Sequence, residues 1–242
     1  MNRGVFDQFI KLVELDEELY QSIIDKANLV HEIELLELEI ENIQININKS
    51  YQNILHLKKE SNALELEINS LNSEYANKKN KINNASNTKE YYYLEQEIQN
   101  LTVKSENAET ELFNIWNNLD IAQENYNNLL KKSEEKKKPI LEDIKNFHRR
   151  VEYLINNINQ LNKKRPELTS LVDPEILEQY NLMKESVHNP AVKVVNKSCY
   201  ACFYLLTQQD YYQVSQNNLP RCRNCFRFLY LKDQKTDQDD LS

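Results

Sequence analysis

The sequence predicts a mainly α protein, a long antiparallel two-helix coiled-coil hairpin followed by a small C-terminal β unit. Three observations carry that expectation. Apolar residues recur in alternating steps of four and three through most of the first 165 positions. A single glycine, Gly4, and five prolines among 242 residues leave few places for the chain to turn, so its elements must be long. The four cysteines fall in two Cys-x-x-Cys pairs, Cys199-Tyr-Ala-Cys202 and Cys222-Arg-Asn-Cys225.

The first arm is read from Leu29, Ile33, Leu36, Ile40, Ile43, Ile47, Ser50, Ile54, Leu57, Ser61, Leu64, Ile68, Leu71, Tyr75, Lys78 and Ile82. Steps of four and three average 3.5 residues, the period that keeps one seam facing a partner helix. With Leu12, Leu15 and Leu19 the pattern predicts one helix from about residue 5 to 83. Asn83-Asn-Ala-Ser-Asn87 then breaks it, because Asn and Ser side chains bond nearby backbone groups and favour turns. Asn87 with Glu90 three residues on has the form of a capping pair for a second helix.

The second seam runs Tyr91, Leu94, Ile98, Leu101, Ser105, Ala108, Leu112, Ile115, Leu119, Ala122, Tyr126 and Leu129, then Ile140, Ile144, Phe147, Val151, Leu154, Ile158 and Leu161. Arms of nearly equal length imply a hairpin, each arm ~110 Å long at 1.5 Å per residue. A fold about residues 85–86 would set residue i against 171−i. The acids Glu32, Glu34, Glu37, Glu39 and Glu41 then face Lys131, Lys132, Lys136, Lys137 and Lys138, a pairing that favours this register. That lysine run is therefore read as a flank and not as a nucleic-acid patch. Pro139 predicts a kink, and Arg165-Pro166 predicts the end of the arm, since proline disfavours helical geometry in the residue before it.

The expected domains are the hairpin over 1–166 with its turn near 83–88, a linker and short helix over 167–190, a four-cysteine zinc ribbon over 191–232, and a disordered acidic tail over 233–242. Asp173-Pro174 starts the short helix as cap and first residue. Residues 191–195, 203–206 and 226–230 read as strands around the cysteine turns. Two Cys-x-x-Cys pairs about twenty residues apart are the spacing of a four-thiolate zinc site. Each turn brings two sulfurs to one side of a tight loop, so Cys199, Cys202, Cys222 and Cys225 are the expected ligands of one structural Zn2+. Without metal, a piece of this size buries too little surface to be stable.

Net charge is −8, yet Lys193, Lys197, Arg221, Arg223, Arg227 and Lys232 stand around the cysteines against Asp210 alone. Basic residues interleaved with aromatics suit an acidic protein surface or nucleic acid. Lys197, Arg221, Arg223 and Arg227 are therefore the candidate partner-binding residues. His31, His56, His148 and His188 are scattered, and one glycine cannot build a phosphate-cradling loop, so no enzymatic activity is expected. The apolar runs are too short to span a bilayer, and the opening residues lack a signal-peptide pattern; a cytoplasmic protein with reduced cysteines is expected. Ile23, Ile24, Val30, Ile45 and Phe113 fall outside the seams and leave a dimer open.

The segments Asn87-Thr-Lys-Glu-Tyr91, Leu94, Glu97-Ile98, Leu177-Glu-Gln-Tyr180, Ala191-Val192 and Cys222-x-x-Cys225-x-Arg227-x-Leu229-Tyr230 together resemble the bacterial coiled-coil, C4-type zinc-ribbon proteins, including their chlamydial type. The resemblance implies a hairpin tip formed by Asn87, Thr88, Lys89, Glu90 and Tyr91. It also implies a role in flagellar regulation or type III secretion, with sigma factor 54 or export-apparatus components as protein partners and RNA binding also suggested. Family members commonly carry Gly after the second Cys of a knuckle, whereas Phe203 and Phe226 stand here. That departure predicts less regular knuckles, because Gly takes positive φ freely. The leading expectation is a non-catalytic zinc-binding adaptor; the alternative is a nucleic-acid-binding regulator acting through the basic ribbon.

Overall fold

The computed structural model describes residues 3–85 and 87–231. Lys232 and the acidic tail lie outside the described residues. Two helices, α1 (Arg3–Ile82) and α2 (Thr88–Thr169), form the hairpin. They are followed by α3 (Pro174–Lys184), β1 (Ala191–Val195), β2 (Ser198–Cys199), α4 (Gln208–Ser215) and β3 (Phe228–Tyr230). The expected fold class is the observed one. The chain divides into two compact units, Met1–Ile33 with Asn146–Ser242, and Glu34–Lys145.

Burial follows the 4-3 pattern closely. From residue 29 to 82, the sixteen positions read as the first seam are the sixteen that are not solvent-exposed. In the Glu34–Lys145 unit, Ile68 packs with Ala108 and Leu112, and Leu64 lies against them. Polar residues in this seam are matched: Trp116 Nε1 donates to buried Ser61 Oγ at 3.0 Å. The bond gives the buried Ser61 hydroxyl a partner on the facing helix and so stabilises one alignment of the helices.

That alignment differs from the expected one. Ser61 with Trp116, Asn72 with Ser105, and Tyr51 with Tyr126 are partners whose numbers add to 177. Part of the difference from 171 has a simple origin. Side chains on a helix lean toward its N-terminus, so in an antiparallel pair both partners of a side-chain contact sit C-terminal to the backbone level they cover. Lys137 donates to Gln44 at 2.9 Å, a pair whose numbers add to 181, further still from the expected register.

The second seam starts at Leu94; Tyr91 is exposed, on the outer face of the first turn of α2. Between Tyr126 and Ile140 the seam does not lapse but continues through Ser133, which is buried, and half-buried Lys137. The spacing there gains one additional step of four, a stutter that locally changes the supercoil. Pro139 lies on the exposed face and α2 continues through it.

Pro166 does not end α2, which runs on to Thr169. The opposing force is tertiary. Arg165 donates through Nε to Asp16 Oδ1 at 2.8 Å and through its terminal nitrogen to Oδ2 at 3.1 Å, while Lys184 Nζ lies 2.7 Å from the same carboxylate. Asp16 is only 1% exposed. Burial alone would raise its pKa, but the hydrogen bonds and charges of Arg165 and Lys184 outweigh that and hold it below the usual carboxylate range. One buried carboxylate thus ties α1, α2 and α3 together.

Around it an apolar cluster joins the hairpin's open end to the sheet. Phe9 of α1 meets Tyr180 of α3 edge-on at 5.4 Å and Phe228 of β3 at 5.7 Å, with Leu12, Val172, Ala191 and Tyr230 completing the cluster. Asp173 caps α3 as expected, its Oδ1 accepting from Glu175 N–H at 3.0 Å.

Candidate metal centre

The centre is built on a three-stranded sheet ordered β2-β1-β3, in which β1 pairs antiparallel with β2 and parallel with β3. β1 is the middle strand; Val192 and Val194 point inward and Lys193 and Val195 outward, with Cys199, Leu206, Val214, Cys222 and Leu229 packed on its inner side. Asn196 and Lys197 connect β1 to β2 with φ of 49° and 59°. Positive φ at both central residues is what a two-residue hairpin of right-handed twist requires.

The two knuckles have the same backbone design. The Phe203 N–H donates to Cys199 C=O at 2.8 Å, and the Cys199 N–H donates to Tyr204 C=O at 3.0 Å. Twenty-three residues on, the Phe226 N–H donates to Cys222 C=O at 2.9 Å, and the Cys222 N–H donates to Arg227 C=O at 2.9 Å. Phe203 and Phe226 have φ of 58° and 62°. The expected loss of regularity is therefore corrected: both phenylalanines adopt the left-handed conformation ordinarily left to Gly, at a steric cost of about 1–2 kcal/mol each.

Strands do not flank both knuckles as expected. Of residues 203–206, Leu205 alone pairs, in an isolated bridge to Ser198, and β3 begins at Phe228. Between the knuckles the chain forms α4, capped by Thr207, whose Oγ1 accepts from the Asp210 N–H at 3.2 Å. It is closed by Asn217 at φ 57°, with Asn218 N–H bonded to Gln213 C=O.

The knuckles bring the four cysteines together. Cys199 Sγ lies 3.7 Å from Cys225 Sγ, Cys202 Sγ lies 3.6 Å from Cys222 Sγ, and all four sulfurs lie within 4.8 Å of one another. Four metal–sulfur bonds of ~2.3 Å in a tetrahedron require sulfur–sulfur edges of about 3.8 Å, so the donor set fits one metal ion. These distances also exclude disulfides, whose sulfurs are about 2 Å apart. Burial pushes the Cys199 thiol up to about 12 and raises Cys222. It acts on Cys202 too, but hydrogen bonds from the Tyr204 backbone, the Asn224 side chain and neighbouring thiols lower that group to about 6. Burial thus opposes ionisation of Cys199 and Cys222, and a bound cation would offset that cost by favouring their thiolates.

The arginines expected to face a partner are engaged within the chain. Arg221 donates to Gln179 Oε1 at 2.8 Å and lies over the Phe228 ring at 5.0 Å. Arg223 makes a two-pronged pair with Asp210, both bonds 2.9 Å. Arg227 Nε donates to the Asn189 carbonyl at 3.1 Å. Lys193 and Lys197 are exposed, over the rings of Tyr200 and Tyr211. At the other turn, Asn87 Oδ1 accepts from the Glu90 N–H at 2.9 Å, and Thr88, Lys89, Glu90 and Tyr91 form the exposed first turn of α2. The Thr207-x-x-Asp210 spacing is a capping signal that would have located α4. No short-range signal marks Asp16, whose partners lie 149 and 168 residues away.

Fold and centre together define a class: a two-helix hairpin with a C-terminal four-cysteine head. The chain is similar to the CT398 protein of Chlamydia trachomatis, with a TM-score of 0.84 at 17% sequence identity over 94% of this chain and 98% of that one. It is also similar to the HP0958 protein of Helicobacter pylori (TM-score 0.56, 21% identity, 95% and 98% covered) and to a protein of Mycobacterium smegmatis (0.72, 15%, 94% and 97%). At these identities the likeness is one of fold. No protein-family model matches the chain and no curated protein matches it. Among the described residues, no helix is long and apolar enough to cross a membrane.

Proposed function

We propose that this protein is a non-catalytic adaptor of the cytoplasm whose C-terminal ribbon, held by one structural zinc ion on Cys199, Cys202, Cys222 and Cys225, captures a protein partner. The observation that carries the reading is the four-sulfur cluster. Its spacing suits a tetrahedral ion, all four positions are thiols, and no vacant position is left to bind water for catalysis. The hairpin supplies the support, since Phe9 of α1 packs directly against Phe228 of the ribbon. The pairing of Arg223 with Asp210 lowers the net positive charge of the ribbon and supports a protein partner over nucleic acid, whose binding rests on uncompensated cations.

The resemblance of the motifs suggests the class of partner: sigma factor 54, or a component of a flagellar or type III export apparatus. The test is direct. Purified protein should contain about one zinc per chain by mass spectrometry, and chelation should abolish the binding of purified sigma factor 54 or of export components measured by interferometry. Protein that folds without metal, or binding indifferent to chelation, defeats the proposal.

A further inference from the structure

We propose that Phe203 and Phe226, one on each knuckle, form the contact face of the ribbon for an acidic protein segment bearing apolar side chains. This rests on the adaptor reading and names the surface and the partner chemistry.

Two independent costs meet at these residues. Each phenylalanine sits at positive φ, where a Cβ is sterically penalised and Gly is not. Each also leaves its ring in water: Phe203 is 77% exposed and Phe226 61% exposed, and neither joins an apolar cluster of the ribbon. A strained backbone is ordinarily offset by packing of the side chain, and here no packing within the chain does so. Strain of this kind concentrates where a surface has work to do, and aromatic side chains are the residues most enriched in protein interfaces. The arrangement occurs twice, in two knuckles with the same hydrogen bonds, and both times with Phe. Exposed Tyr200 and Leu205 widen the apolar area along the first knuckle.

Charge selects the occupant. From residue 191 to 231 the ribbon carries Lys193, Lys197, Arg221, Arg223 and Arg227 against Asp210. Asp210 pairs with Arg223, which leaves Lys193, Lys197 and Arg221 as exposed cations without an acidic partner among the described residues of the ribbon, the two lysines lying over Tyr200 and Tyr211. Three such cations are few for tracking a phosphate backbone, but they complement a peptide in which acids alternate with apolar residues.

The zinc-loaded full chain is used to select from a phage-displayed library of random 12-residue peptides. Enriched peptides should be net acidic with at least two aromatic or aliphatic residues. A synthetic copy of the best one should bind at least tenfold more weakly, by fluorescence anisotropy, to the Phe203→Gly/Phe226→Gly variant. That variant should melt at the same temperature or higher, because Gly adopts positive φ at no steric cost. Lys193→Glu/Lys197→Glu should instead shift selection toward basic peptides. Basic or featureless peptides selected by the unmodified chain, or a lower melting temperature in the double-Gly variant, overturn the proposal. So does oligouridylate binding that disappears with the phenylalanines, which would assign the rings to base stacking. Peptide capture that survives the double substitution but is lost on chelation overturns the aromatic face and leaves the adaptor reading standing. Capture indifferent to both overturns both.

Discussion

Removing the carboxylate of Asp16 should loosen the end of the hairpin that holds the ribbon. The Asp16→Ala substitution leaves Arg165 and Lys184 without their shared anion. Breaking a fully buried ion pair from one side costs ~3–5 kcal/mol. Here the carboxylate is 1% exposed, but the side chains of Arg165 and Lys184 are 27% and 29% exposed and can recover some hydration. The expected cost is therefore about 2–4 kcal/mol. Expressed as amide hydrogen exchange, that is a roughly 30- to 1,000-fold loss of protection in α3. The seam around Ser61 and Ile68 belongs to the other compact unit and should exchange as before. Asp16→Asn keeps the shape but not the charge, so its effect should be smaller. Unchanged protection in α3 would refute the reasoning, as would equal loss of protection in both units.

Acid should reproduce part of this effect. The folded pKa of Asp16 lies below its unfolded value of ~3.9, so its stabilisation is fully present above that value and is lost as pH falls through the folded pKa. Urea midpoints measured from pH 6 to 2 should therefore fall less steeply below pH 4 in Asp16→Asn than in the unmodified chain. At the turn between the long helices, Asn87→Ala deletes the acceptor for the Glu90 N–H. It should cost ~1 kcal/mol and speed exchange in the first turn of α2, with no change at the cysteines.

The legibility of this chain divides along the range of the forces involved. The first seam was readable at every position from 29 to 82 because burial there is set by period alone. The four thiols were readable because Cys-x-x-Cys spacing is a local property of the turn. Reading failed where a distant partner overrides a local preference. Pro166 should end a helix, but Asp16, far back in the chain, holds Arg165 in helical geometry. The stutter was hidden because Ser133 and Lys137 carry it, and neither looks like a seam residue. The arginines looked available because Gln179 and Asn189, which engage two of them, lie about 40 residues away. The knuckle phenylalanines were visible as departures, but only backbone angles show that they occupy the conformation Gly usually takes.

The packing of Phe9 on Phe228 has a consequence in time. The residues are 219 positions apart, so at a synthesis rate of ~5–20 residues per second one waits roughly 10–45 s for the other to be made. Within that interval α2 is completed at Thr169 and α3 at Lys184, but Phe9 waits for its ring contact with Phe228 until β3 is made. Completion of the cluster comes with β3, among the last described residues to leave the ribosome. A chain stopped short of Phe228 therefore lacks more than its ribbon. It leaves Phe9 of its own first helix without the ring of Phe228, so the first helix and the last strand complete each other's packing.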